Sequence, residues 1–218
     1  MKRLLKFLIA LIILASIIFI LFKVIKIDNI VMKKIYPLKY SEYVEKYAEE
    51  YNMDKYMVYA IIKAESNFDE NAKSASNAIG LMQIMETTAI ETANKMGLKV
   101  TEKDLFEPEL NINIGLKYFT YLLNQYNNNY QLAIIAYNAG IGNVDNWIKN
   151  GIIKEDGTDI ENVPFKETNN YVRKILRDYK IYKELYDWRF KLQFIYISIN
   201  MIYNKKTKIQ GRNVTCQY

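Results

Sequence analysis

The chain has 218 residues, half of them apolar, which is enough for one domain of ordinary size with appendages at its ends. It contains no histidine and one cysteine, Cys216, which excludes Ser/His and Cys/His catalysis, metal clusters of those residues and an internal disulfide. The net charge of +6 belongs to the two ends, because residues 41–188 include 16 basic and 23 acidic side chains, and an acidic central region argues against a nucleic-acid-binding domain.

The chain opens with an apolar run. Phe7 to Phe22 contains no charged residue, and with its flanks the apolar stretch reaches about 22 residues, close to the ~20 that a bilayer-spanning helix needs. We predict an uncleaved signal anchor over 1–25 and a tether over 26–40. A cleaved signal peptide is the alternative, although no small-residue processing site follows the run. Lysines lie on both sides of the run, so the charges do not fix its orientation.

The predicted helix that starts after Asp54 carries the main candidate residue. Asp54 is a good N-cap, and apolar residues then recur at helical spacing: Met57, Val58, Ile61 and Ile62. Glu65 falls in the last turn, where the helix dipole and apolar neighbours both disfavour the ionised form and raise the pKa. A carboxyl group that keeps its proton near neutral pH can protonate a glycosidic oxygen. A surface glutamate at a helix end is the alternative.

Other helices are predicted along the chain. Their signals are N-cap residues, apolar residues at helical spacing and glycines at helix C-termini. Two helices are expected to start at caps: one at Ser41, and one at Thr88 with a Thr88–Glu91 capping box, which runs to Met96 and stops at Gly97. The others are expected from Pro108, from Tyr130 to Asn138 with Gly140 as terminator, near Trp147, and from Thr168. Residues 69–77 and 152–165 are predicted to be loops. The tail, 188–218, has no pattern that assigns it a role.

Four motifs occur in order: AESNF (Ala64 to Phe68), GLMQIM (Gly80 to Met85), AYNAG (Ala136 to Gly140) and ETNNYV (Glu167 to Val172). This set resembles the catalytic domain of lytic transglycosylases of the soluble-transglycosylase (SLT) type, over about residues 41–187. The resemblance implies an all-α, goose-type lysozyme-like fold with short helices around a substrate cleft, here preceded by one N-terminal transmembrane helix.

The resemblance also implies roles for individual residues. Glu65 would be the catalytic acid and base, and seven residues would bind the sugar or support the site: Ser66, Gln83, Met85, Tyr137, Asn138, Glu167 and Tyr171. From the residues alone, plainer roles stay open: core packing for Met82, Met85, Tyr137 and Tyr171, a C-cap for Asn138 and a favourable charge at a helix N-terminus for Glu167.

The implied substrate is the peptidoglycan glycan strand, cleaved at the β-1,4 bond between N-acetylmuramic acid and N-acetylglucosamine. Most glycosidases use two carboxylates, whereas the motifs present one acid, Glu65, and no clear second. In the family's mechanism that acid protonates the leaving oxygen and then, as a base, deprotonates the sugar's own 6-hydroxyl, which closes a 1,6-anhydro ring without a metal or cofactor.

The expected location is the cell membrane, with one spanning helix and the catalytic domain on the wall side. Two alternatives to the transglycosylase are kept: a hydrolytic goose-type lysozyme of the same fold, and a non-catalytic, membrane-tethered wall-binding protein. No nucleic-acid partner is expected.

Overall fold

The computed structural model describes residues 2–25 and 27–187, in two units that divide between Pro37 and Leu38. The first unit contains helices α1 (Lys2–Ile25) and α2 (Ile27–Ile35), the second of which lies in the segment predicted as a tether. Among the residues described, no helix combines the length and the apolar character that crossing a membrane requires. The tail predicted over 188–218 lies outside the described residues.

The second unit is built mainly of short helices, which confirms the all-α class. Its elements follow in this order: α3 (Ser41–Glu50), α4 (Lys55–Glu65), β1 (Ala78–Ile79), β2 (Ile84–Met85), α5 (Glu86–Lys95), a 3-10 turn (Glu102–Phe106), α6 (Pro108–Gln125), α7 (Tyr130–Ala139), α8 (Ile141–Lys149), a second 3-10 turn (Ile160–Asn162) and α9 (Lys166–Tyr186). The two strands pair antiparallel, with Ala78 opposite Met85.

The predicted cap of α4 is confirmed, but two other caps were wrong. The Asp54 carboxylate accepts from the backbone N–H of Tyr56 at 2.9 Å. Ser41 is the first helical residue of α3, and the cap position is Tyr40, which turns the chain in the left-handed region at φ 57°. The Thr88 capping box also fails, because β2 leads straight into α5, whose cap position is Met85, three residues before Thr88.

Helix α4 lies in the core, packed chiefly against α9. All six residues from Met57 to Ile62 are buried. Tyr59 is fully buried between the rings of Phe68 and Tyr182, whose centroids lie 6.4 and 5.5 Å away. This packing holds the last turn of α4 in a fixed place, and Glu65 with it.

A buried asparagine of α6 holds the chain between the two strands. Asn111 donates from Nδ2 to the carbonyls of Ile79 (3.0 Å) and Leu105 (2.7 Å) and accepts at Oδ1 from the N–H of Met82 (2.8 Å). Gly80 passes so close that a Cβ would lie 2.3 Å from Asn111 Nδ2, and its φ is +72°. This close backbone approach requires glycine at position 80, because glycine has no Cβ.

Candidate active site

Glu65 is the last residue of α4 and is half-buried. Its Oε1 accepts a hydrogen bond from the Tyr171 hydroxyl of α9. Burial raises the pKa of Glu65 to about 7, against the Tyr171 hydrogen bond and the positive charge of Lys174, which both lower it. The carboxyl group is therefore partly protonated at neutral pH, in the direction that its sequence position predicts.

Lys174 supports the end of α4 and was missed by the sequence analysis. Its Nζ donates to the carbonyl oxygen of Ala64 at 3.0 Å, one of the carbonyls at a helix end that lack a partner within the helix. Lys174 follows Tyr171 by three residues on α9 and so shares its face. One face of α9 thus contacts both Glu65 and the backbone beside it.

Two tyrosines flank the carboxyl group. The hydroxyl of Tyr137 on α7 donates to the Met82 carbonyl at 2.7 Å, while that of Tyr171 donates to Glu65. Burial and the nearby charge of Glu65 raise the pKa of each tyrosine well above its ordinary value. Both hydroxyls therefore remain protonated donors over the whole physiological pH range. Each tyrosine therefore makes a polar contact in addition to its ring packing.

Ser66 joins the end of α4 to the facing segment. Its hydroxyl lies 2.8 Å from the carbonyl of Leu81 and 3.3 Å from that of Ile62. The hydroxyl has one proton, so the shorter contact is its main hydrogen bond. In this arrangement Ser66 fixes the spacing between Glu65 and the GLMQIM segment.

Gln83 and the two methionines of that segment have different surroundings. Gln83 has φ +45° and donates from Nε2 to the carbonyls of Ala72 and Gly80, both at 3.0 Å. Its amide nitrogen therefore anchors the preceding loop, and its oxygen is the atom left to meet a ligand. Met82 is fully buried, whereas Met85 is 42% exposed, so the core-packing alternative holds for Met82 and not for Met85.

A cavity of about 220 Å³ brings four of the predicted residues together. Those four are Gln83, Met85, Tyr137 and Asn138, and Thr88 and Tyr118 are among the others that line it. Glu65 does not line this cavity directly. Tyr137 connects the two, because it lines the cavity and also lies within the electrostatic influence of Glu65. We refer to this space as the glycan cavity, after the substrate that the sequence resemblance implies.

The remaining predicted residues lie where α7 ends and α9 begins. The Asn138 side-chain oxygen accepts from the Thr168 hydroxyl at 2.7 Å, and Glu167 is exposed beside Thr168 in the first turn of α9. Asn138 is not the C-cap that sequence left open, since α7 ends at Ala139 and its C-cap is Gly140, with a φ of +84°. Thr168 is not the start of α9, because the helix begins at Lys166.

The chemistry open to this site is acid–base chemistry by one carboxyl group. The shifts in the pKa of Glu65 come from burial, a tyrosine and a lysine, and no second carboxylate contributes to them among the described residues. Within the same residues, no group of three or more acidic, histidine or cysteine side chains is arranged to hold a metal ion.

Comparison with known proteins gives a consistent result. Residues 42–160 match the family described as "Transglycosylase SLT domain". The soluble lytic murein transglycosylase of Salmonella typhimurium is 37% identical over 144 residues, which cover 65% of this chain and 22% of that protein. The membrane-bound lytic murein transglycosylase C of Serratia proteamaculans is 37% identical over 117 residues, or 49% of this chain and 32% of that protein.

Solved structures are similar over the same region. An inactive mutant of lytic transglycosylase Slt from Pseudomonas aeruginosa is 33% identical, with a TM-score of 0.64 over 71% of this chain and 26% of that one. The 70-kDa soluble lytic transglycosylase in complex with bulgecin A is 33% identical, with a TM-score of 0.66 over 72% of this chain and 26% of that one. The chain therefore spans about a quarter of the length of these relatives.

Proposed function

Because the chain belongs to the transglycosylase SLT domain family, we propose that it is a peptidoglycan lytic transglycosylase. The substrate is the glycan strand, and the bond cleaved is the β-1,4 link from N-acetylmuramic acid to N-acetylglucosamine. The catalytic domain is residues 41–187. The observation that carries the proposal is the single half-buried carboxyl group of Glu65, with its pKa raised to about 7 and a tyrosine hydroxyl on its oxygen.

The proposed reaction uses the two protonation states of Glu65 in turn. Protonated Glu65 gives its proton to the glycosidic oxygen, the C1–O bond of the muramic sugar breaks, and N-acetylglucosamine leaves with a free hydroxyl group. The acetamido group of the muramic sugar stabilises the electron-poor C1. Ionised Glu65 then takes the proton of the sugar's 6-hydroxyl as its oxygen bonds to C1. The ring closes, Glu65 is protonated again, and no water enters the product.

A pKa near 7 suits this sequence, because neither protonation state is strongly disfavoured at neutral pH. The desolvation of Glu65 supports the acid step, while the opposing effects of Tyr171 and Lys174 prevent the carboxyl group from becoming too weak an acid to give up its proton. Tyr171 also fixes which carboxyl oxygen is occupied, so that the other oxygen is the one directed to the substrate.

The other predicted residues orient the sugar in this proposal. Gln83, Met85, Tyr137 and Asn138 line the glycan cavity and contact the muramic sugar next to the scissile bond. Ser66 sets the distance between the end of α4 and the GLMQIM segment through its hydrogen bond to the Leu81 carbonyl. Glu167, exposed at the edge near Asn138, adds negative charge that favours the positive character developing at C1.

Product mass tests the proposal directly. Purified peptidoglycan is digested with the wild type, with Glu65→Gln and with Glu155→Gln, whose exposed glutamate lies outside the site. The expected products of the wild type and of Glu155→Gln carry a 1,6-anhydro end, lighter by one water than a reducing end, and Glu65→Gln gives no product. Full activity of Glu65→Gln would overturn the catalytic assignment of Glu65, whereas absence of product from the wild type would favour the non-catalytic wall-binding protein.

A hydrolytic lysozyme of the same fold is the second candidate, in which water attacks C1 in place of the 6-hydroxyl. Digestion in water enriched in heavy oxygen separates the two reactions. A transglycosylase transfers none of the label to C1, whereas a lysozyme labels every new reducing end. Labelled reducing ends as the main product would replace the transglycosylase with the lysozyme.

We propose in addition that residues 1–25 anchor the enzyme in the cell membrane, with the domain on the wall side. The uncharged run from Phe7 to Phe22 supports this, as do the exposed leucine, isoleucine and phenylalanine side chains between Leu4 and Phe19. Fractionation of cells is the test: the full chain is expected in the membrane fraction and resistant to salt extraction. Recovery of a shortened chain outside the membrane would favour the cleaved signal peptide.

A further inference from the structure

The methionines of the chain differ widely in exposure. Met53, Met57 and Met82 are buried, each at most 8% exposed. Met96 is partly buried and packs against the core beside α5. Met85 is 42% exposed, and in the part of the chain that the structure describes it is the one methionine that is neither buried nor partly buried.

The backbone of Met85 is held in place on both sides. Met85 pairs with Ala78 across the two strands, and with a φ of −62° and a ψ of 135° it is the N-cap of α5. Successive side chains of a strand point to opposite faces, so Ile84 is buried in the core while Met85 is exposed. Its thioether lines the glycan cavity beside Gln83 and Tyr137.

A thioether in this position is accessible to oxidants. The susceptibility of sulfur side chains to oxidation follows their exposure, and methionine forms a sulfoxide. With hydrogen peroxide, the sulfur gives an electron pair to one peroxide oxygen, an S–O bond forms as the O–O bond breaks, and the other oxygen leaves as water. The sulfur is oxidised by two electrons and the peroxide is reduced by two, so the step needs no other reactant.

The sulfoxide changes what the cavity offers to a ligand. A thioether is apolar and adapts to irregular surfaces, whereas the sulfoxide is polar and its oxygen accepts hydrogen bonds. The amide nitrogen of Gln83 already donates to two backbone carbonyls, which leaves the Gln83 oxygen as an acceptor at the cavity. Oxidation of Met85 adds a second acceptor to the same wall and removes the apolar contact beside it.

We propose that Met85 is a site of reversible oxidation, at which a hydroperoxide forms the sulfoxide and thereby slows glycan cleavage. The effect on cleavage rests on the function proposed above, whereas the oxidation itself does not. Methionine sulfoxide reductases, one for each epimer of the sulfoxide, reverse the step. In the reverse step two thiols supply two electrons and two protons, the sulfoxide oxygen leaves as water, and a disulfide forms between the thiols.

The first test reads the oxidation by mass and needs no substrate. The full chain is treated with rising concentrations of hydrogen peroxide and digested, and the peptides are fragmented in a mass spectrometer to locate the added oxygen. Met85 is expected to be oxidised at the lowest concentration, ahead of Met96, and the buried Met53, Met57 and Met82 at the highest. Oxidation of a buried methionine as early as Met85 would overturn the site.

The second test measures kcat/KM from the anhydro-ended products, and each protein is compared with its own untreated sample. Peroxide is expected to lower kcat/KM of the wild type about fivefold, the effect of losing one apolar side-chain contact, and a reductase with a thiol should restore it. Met85→Leu cannot form a sulfoxide and should keep its own untreated value. Met96→Leu is the matched control, because Met96 does not line the glycan cavity, and it should lose as much as the wild type.

A third variant separates the polar change from general oxidative damage. Met85→Gln has a permanently polar side chain of similar length, and without any peroxide its kcat/KM is expected to be about fivefold below that of Met85→Leu.

Three outcomes would overturn the control by Met85 while leaving the transglycosylase standing: equal losses in Met85→Leu and the wild type, an unchanged wild type after complete oxidation of Met85, or no recovery with the reductase. Absence of anhydro products from every untreated sample would overturn the proposed function and its control by Met85 together, and the oxidation of Met85 would then be judged by mass alone.

Discussion

Glu65→Gln is expected to make the folded domain more stable than the wild type at neutral and alkaline pH, but not at acidic pH. In the unfolded chain the Glu65 carboxyl has its ordinary pKa of 4.5, and in the folded domain burial raises that pKa to about 7. Between these two values the folded state holds a proton that the unfolded state has lost, so the free energy of unfolding falls as pH rises through this window. Glutamine is neutral at every pH and still accepts the Tyr171 hydrogen bond.

The magnitude follows from the size of the shift. At about 1.4 kcal/mol per pKa unit, the wild type loses roughly 3 kcal/mol of stability between pH 4 and pH 8, and most of that loss falls between pH 5 and pH 7. Glu65→Gln is therefore expected to unfold at nearly the wild-type urea concentration at pH 4.5. At pH 8 its free energy of unfolding is expected to exceed that of the wild type by about 2 to 3 kcal/mol.

Urea denaturation followed by circular dichroism at pH 4.5, 6 and 8 measures this difference without any substrate. Glu155→Gln serves as the control, because its exposed side chain lies outside the site and its stability should follow that of the wild type at each pH. A stability gain of Glu65→Gln that is the same at all three pH values would refute the reasoning, since a proton-linked effect must vanish where both states are protonated.

Three further predictions concern the same site and the segment facing it. The kcat/KM for glycan cleavage should fall as pH rises through about 7, because the acid step needs protonated Glu65; a flat profile from pH 5 to 9 would contradict this. Tyr171→Phe removes a hydrogen bond to the ionised carboxylate and should move that decline up by about one pH unit, whereas an unchanged midpoint would show that the bond does not tune the acid. Gly80→Ala should lower the free energy of unfolding by about 3 kcal/mol or more, as judged by urea denaturation, since its Cβ would lie 2.3 Å from Asn111 Nδ2 and its φ is +72°. Wild-type stability of this variant would mean that the residues around Asn111 rearrange without a cost in free energy.

The helix bearing the acid was predictable because its signals are local. Asp54 caps it, a run of buried apolar residues fills its middle, and Glu65 ends it. The four motifs, through their resemblance to a known family, indicated which other residues belong to the site. Helix starts were less predictable, because tertiary pairing decided them: β2 pairs with β1 and delivers the chain into α5 before Thr88 is reached.

The contacts that hold the site together could not be predicted from the sequence. Asn111 bonds three backbone groups of segments that lie up to 32 residues away, and an asparagine within a helix gives no local sign of this. Lys174 looks like any exposed lysine of a helix until α9 is placed against α4. Both residues act across tertiary contacts, which sequence patterning does not report.

Glu65 and its hydrogen-bond partner Tyr171 are separated by 106 residues of chain. The Tyr171 hydroxyl can bond to the carboxyl group, and α9 can help to bury it, only when α9 has docked on α4. Without α9, the chain lacks the Tyr171 hydrogen bond to Glu65 and the packing of that helix on α4. The proposed activity therefore depends on the docking of α9, which comes last in the chain among the elements that the structure describes.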